Sequence, residues 1–245
     1  MFMRKFTFSQ IFLFSFLSLF IFQSCKDDSY LLDAPPIPNQ SFVEEFDTIQ
    51  NAHDRGWRFI NRSHDIGVTD WEQGSISGGI FPYSSRGTNV GFISSDYQAT
   101  AGAAETISNW AISPSTWMKN GDKIIFYTRC LLYAIAGGDA TDYANRLQVR
   151  VNPVDDGLNV GDAEDPGDFT KTLLDINPFY IEYHILSPDP TAYPALWTRF
   201  EATVFGLNKP MKSRFALRYF VEEAGNNGRG SEIAVDSVAF VSVNR

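Results

Sequence analysis

The sequence predicts an all-β domain, an antiparallel sandwich of two sheets, and three observations carry that expectation. Short apolar runs with a two-residue period recur, turns rich in glycine and asparagine separate them, and helical periodicity hardly appears. The 245 residues suffice for one domain behind a leader, and 44% hydrophobic against 20% charged residues allows a sizeable core. Taken in order, strands are expected at residues 42–47, 57–61, 90–94 and 105–113. The run at 123–133 is apolar and rich in strand formers, and 146–151 alternates as Leu147-Gln148-Val149-Arg150-Val151. Strands at 197–205, 214–221 and 232–243 complete the set; Phe215-Ala216-Leu217-Arg218-Tyr219 alternates like a strand with one buried face. Gly78-Gly79, Asn120-Gly121, Gly137-Gly138 and Asn226-Asn227-Gly228 mark turns, and the one helix-like stretch, around 170–177, is brief.

The first 24 residues stand apart. Arg4 and Lys5 precede an uncharged, phenylalanine-rich run over residues 6–22, too short and too often interrupted for the ~20 apolar residues of a spanning helix. It ends Phe22-Gln23-Ser24-Cys25, which resembles a bacterial lipobox. Residues 1–24 are therefore expected to be a lipoprotein signal peptide, with Cys25 as the lipidated residue; a secretory signal cut near Ser24 is the alternative. Lys26-Asp27-Asp28 resembles the signal that takes Bacteroidetes lipoproteins through the outer membrane, which implies a lipid-anchored, surface-exposed location. Residues 25–41, with Pro35-Pro36-Ile37-Pro38, read as an extended tether, and 42–245 as the domain.

A net charge of −9 argues against nucleic-acid partners, because phosphates would be repelled. Two cysteines exclude a disulfide scaffold, and Cys130, inside the apolar run at 123–133, reads as a buried, inert thiol.

An ordered series of segments adds a family resemblance. It begins with Glu44-Glu45-Phe46-Asp47 and Gly56-Trp57, then Asn109-Trp110-Ala111-Ile112-Ser113-Pro114 and Ile124-Ile125-Phe126-Tyr127. Arg146-Leu147-Gln148-Val149-Arg150, Gly167-Asp168-Phe169-Thr170 and Leu174-Asp175-Ile176-Asn177-Pro178 follow, and Ile233-Ala234-Val235-Asp236-Ser237-Val238 closes it. The series resembles choice-of-anchor J domains, related to cleaved-adhesin modules and similar in fold to the MAM-type jelly roll. It implies a jelly-roll sandwich on a surface lipoprotein, without catalytic activity. The resemblance also implies a structural Ca²⁺ between acids of the first strand and an aspartate of the last, here Glu45, Asp47 and Asp236. Asp236 interrupts an apolar run, and a buried charge needs a partner: the cation, an ion pair with Arg214 or Arg218, or plain hydrogen bonding.

No catalytic motif is present: no nucleophile elbow, no zinc-binding helix, no phosphate-binding loop and no dinucleotide fingerprint. His53, His64 and His184 are scattered, and the acidic, glycine-containing stretch 155–168 lacks the register of a calcium loop. The expected function is non-catalytic binding of a glycan or a surface protein. The rivals are an adhesive or structural protein without glycan binding, and a glycan-active hydrolase. Trp71, Tyr83 and Tyr97, nearest the Gly/Ser-rich loops, are the candidate ligand-stacking residues. Asp47-Thr48-Ile49 resembles a Bacteroidetes O-glycosylation pattern and makes Thr48 a candidate acceptor.

Overall fold

The computed structural model describes residues 38–84 and 91–243; Cys25 and Lys26-Asp27-Asp28 lie outside the described residues. In chain order the strands are β1 (Phe42–Glu44), β2 (Arg58–Asn61), β3 (Glu72–Gln73), β4 (Ile93–Asp96) and β5 (Ala103–Ile112). Then come β6 (Thr116–Met118), β7 (Lys123–Cys130), β8 (Tyr133–Ala134), β9 (Ala140–Thr141) and β10 (Leu147–Val151). The last are β11 (Lys171–Ile176), β12 (Thr198–Thr203), β13 (Met211–Ser213), β14 (Phe215–Gly225) and β15 (Glu232–Val241). They build an antiparallel two-sheet jelly-roll sandwich. One sheet runs β12-β7-β15-β4-β3, with β1 also on β15; the other runs β11-β10-β14-β5-β2. β6 pairs with β13 and β8 with β9 as separate two-stranded ribbons.

Alternation decides which side chains meet between the sheets. In β7, Ile124, Phe126, Thr128 and Cys130 are buried while Lys123, Ile125, Tyr127 and Arg129 are only partly covered. From the facing sheet come Leu147, Val149, Phe215, Leu217, Tyr219 and Val221. An aromatic chain anchors one part of this core: Phe46 meets Trp57 edge-on at 5.2 Å, Trp57 meets Phe215 at 5.8 Å, and Phe215 stacks on Phe240 at 6.2 Å.

β15 changes neighbours along one edge. Its residues 232–235 pair with β4 and residues 238–240 with β1, while β7 occupies the opposite edge. The changeover falls at Asp236-Ser237, where the β7 register slips and Ser237 takes φ 52°.

Four features differ from the sequence expectation. β14 buries both faces, because Val160 of the acidic stretch and Phe169 just after it fold over Trp110, Ile112 and Ala216 on the sheet's outer side. Arg218 is covered there, stacked between Trp110 and Phe220 and donating to Ser108 and to the carbonyl of Ala163, and burial holds it down to about 9. The stretch at 170–177 is the edge strand β11, not a helix; the free edge of β10 bonds its backbone, whereas so short a helix would stand alone. Thr48 is not at a strand end. It caps α1 (Ile49–Asp54), its hydroxyl accepting from the Asn51 N–H at 3.1 Å.

Candidate functional site: a tyrosine groove beside a carboxylate row

The β8–β9 ribbon, the turn from β14 to β15 and the residue following β4 enclose a groove of about 430 Å³. Tyr97, Tyr133 and Tyr143 line it, and the Gly225-Asn226-Asn227-Gly228 turn with Gly230 and Ser231 completes the wall. Tyr133 and Tyr143 are each 37% exposed, with ring centroids 6.4 Å apart and planes tilted by 48°. Burial, then the charges of Glu232 and Asp96, push the Tyr133 phenol up to about 12. At neutral pH that ring therefore presents an uncharged face and a hydroxyl donor.

The groove is held by a buried polar network beneath it. Tyr143 and Ala144 both take left-handed backbone conformations, φ 54° and 61°. The Asp142 carboxylate stabilises them by accepting from the N–H groups of Ala144 at 3.1 Å, Asn145 at 3.0 Å and Tyr183 at 2.8 Å. The Asn145 side-chain Oδ1 accepts from the Tyr219 hydroxyl at 2.7 Å and the Ser231 N–H at 3.0 Å, and its Nδ2 donates to the Ser231 hydroxyl at 2.9 Å. The Gly230 N–H donates to the Tyr143 carbonyl at 2.6 Å and the Tyr97 N–H to the Ser231 carbonyl at 2.8 Å, so three walls are tied to one strand end. Gly225 is required at the rim: φ is +106°, and a Cβ there would lie 2.1 Å from the Gly102 carbonyl oxygen.

A second, smaller cavity of about 180 Å³ adjoins the same strand ends. Asp70, Glu72, Asp96 and Glu232 line it together with Thr69, Gln73 and several serines. Asp96 and Glu232 are register partners across β4 and β15, and they stand next in sequence to Tyr97 and Ser231 of the groove. Burial raises the Asp70, Glu72 and Glu232 carboxyls, and neighbouring carboxylates raise Glu72 and Glu232 further. Among the described residues none of the four has a Lys, Arg or His ion-pair partner.

The expected site residues fare differently. Tyr97 lies in the groove. Trp71 is a correction: at 2% exposure it belongs to the core, because Asp70 and Glu72 on either side face the carboxylate cavity and alternation turns the indole inward. Tyr83 is exposed but lies outside the groove lining, stacked on Tyr127 at 3.6 Å. Tyr133 and Tyr143 were missed, although each flanks the Gly137-Gly138 turn.

Asp236 is fully buried. Its carboxylate accepts from the N–H groups of Tyr83 at 2.8 Å, Ser84 at 3.0 Å and its own neighbour Ser237 at 2.6 Å. Neither Arg214 nor Arg218 is its partner; Arg214 donates to the carbonyls of Asp156 and Ser113. Burial, with Glu45 adding its charge, pushes Asp236 up to about 6. Asp47 instead acts on the Arg55 guanidinium, which donates to Glu44. Among the described residues no group of three His, Cys, Asp or Glu is arranged to hold a metal ion. Glu45 and Asp236 are thus two neighbouring carboxylates, short by themselves of the six to eight oxygens calcium takes.

Among the described residues the histidines form no triad. His64 is exposed and bonds Glu105, and His184 bridges Asp139 at 2.9 Å and Glu182 at 3.3 Å. Cys130 is buried, and burial raises its thiol far from the thiolate range.

An antiparallel jelly-roll sandwich with a tyrosine-walled groove is the class that fold and site define. The K1 cleaved adhesin domain of Lys-gingipain from Porphyromonas gingivalis W83 shares this fold at 18% identity. The match covers 83% of this chain and 99% of that domain, with a TM-score of 0.50. The K3 domain of the same protein aligns at 12% identity over 84% of this chain and 98% of its own, with a TM-score of 0.49. At such identities the likeness is one of fold. No family model matches the chain, and no curated protein matches it.

Proposed function

We propose that this chain is a non-catalytic binding module, held at the cell surface by a lipid on Cys25, whose tyrosine groove takes a glycan. The observation that carries the reading is the groove itself, three tyrosine rings set by a buried network and bordered by the Asn226 and Asn227 amides. Sugar C–H faces stack on aromatic rings, and amides and phenols bond the hydroxyls around them. The resemblance to choice-of-anchor J domains and the lipobox-like Phe22-Gln23-Ser24-Cys25 support a surface-held module of this kind. No assembled nucleophile or paired acid–base residues lie in the groove lining, which favours binding over hydrolysis.

Glycan-array screening followed by calorimetry on the hits tests the reading. Tyr143→Ala is expected to weaken binding at least tenfold with an unchanged fold by circular dichroism. A ligand whose affinity Tyr143→Ala leaves intact places binding elsewhere, and capture of a protein partner with no glycan bound favours an adhesive module instead. Turnover of a polysaccharide, abolished by one carboxylate substitution, would establish a hydrolase.

A further inference from the structure

We infer that the glycan bound in the tyrosine groove carries a free amino group, whose ammonium sits between the groove's rings and the carboxylates of Asp96 and Glu232. The inference rests on the glycan reading above and names the chemistry that the same site selects.

Charge complementarity is the ground for it. Among the described residues neither the groove nor the adjoining cavity is lined by a single Lys, Arg or His, whereas the cavity presents four carboxylates. The linings of the two cavities adjoin in sequence, since Tyr97 follows Asp96 and Ser231 precedes Glu232, and those two acids are register partners. The charges of Glu232 and Asp96 reach the Tyr133 phenol in the groove wall. A neutral sugar gains nothing from this field, and an anionic one is repelled by it. An ammonium gains twice, from ring faces that attract cations and from carboxylates lacking an ion-pair partner among the described residues. Burial and mutual repulsion already strain the carboxylate row, and a bound cation relieves that strain.

Calorimetry with two probes of equal length, a glucosamine tetramer and an N-acetylglucosamine tetramer, tests the inference at low ionic strength and pH 6. The glucosamine tetramer is expected to bind at least tenfold tighter, with the advantage shrinking in 0.5 M salt. The double variant Asp96→Asn, Glu232→Gln is expected to bring the two affinities together. Both substitutions keep an acceptor oxygen for the existing bonds from Thr69, Gln98 and Ser94, and thermal melting checks the fold. Tyr143→Ala is expected to weaken both tetramers. Equal affinities in the unmodified protein overturn the amine inference and leave the glycan reading standing. An amine preference that survives the double variant overturns the assignment to Asp96 and Glu232. Binding of neither tetramer, with a lysine tetrapeptide bound instead, overturns both readings in favour of a basic protein ligand.

Discussion

Asp236 sits where β15 exchanges one neighbour for another, and its carboxylate fills the break by gathering the N–H groups of Tyr83, Ser84 and Ser237. Its native value of about 6 against an ordinary 3.8 means the native state holds a proton that the unfolded chain gives up between those values. Stability from this group is full below pH 4 and is lost as pH rises through 6. The two-unit gap corresponds to a loss of roughly 3 kcal/mol. Urea unfolding in chelator between pH 4 and pH 7 should show that decline, and Asp236→Asn should flatten it. The same series with calcium in place of chelator tests the pair Glu45 and Asp236 as its ligands. Capture raises the melting temperature most at pH 7, where both are charged, and superimposed curves leave Asp236 a structural acid. At this scale the sequence was half legible. An acid inside Ile233-Ala234-Val235-Asp236-Ser237-Val238 announces a buried charge, but a backbone partner some 150 positions upstream has no signature along the chain.

At the scale of elements, α1 depends on its cap. The Thr48 hydroxyl satisfies a first-turn N–H that would otherwise lack an intrahelical partner, so Thr48→Ala should cost about 1 kcal/mol and Thr48→Ser very little. Denaturant midpoints of the two variants check this. Thr48 is exposed as well as capping, and intact-mass measurement on protein from the native host decides whether it also carries a sugar. The long strands were readable because alternation over five or more residues has only one structural meaning, as in β10 and β14. Apart from β1, which lies within the strand expected at 42–47, elements of two or three residues were not readable. β8 and β9 exist because their ends are tied to other parts of the chain, and Tyr133 and Tyr143 stayed hidden with them. Residues 171–176 failed for another reason: Leu173, Leu174 and Ile176 fit either period, and the unfilled edge of β10 settled the matter.

For the whole molecule, location is the property to test first. Cys25→Ala should convert a membrane-bound protein into a soluble one, read by fractionation. Replacing Lys26-Asp27-Asp28 with alanines should keep the lipid but remove the protein from the reach of protease on intact cells. Persistent surface cleavage of the alanine variant would sink the export proposal. The jelly-roll sandwich itself was legible because many short strands, brief turns and little helical period admit few other architectures. The groove was not, since its three tyrosines lie on separate segments that only the tertiary fold brings together.

The changeover along β15 has a mechanical side. Ser231, just ahead of it, lines the groove, Glu232 at its beginning lines the adjoining cavity, and Phe240 near its end pairs with Phe42. A load applied between a ligand held in the groove and the chain just ahead of β1 therefore passes along this strand. Because β1 lies antiparallel to β15, with its first residue opposite the later part of that strand, the pull drags β1 lengthwise. All three of its pairings take the strain together, in shear, and none is peeled off ahead of the others.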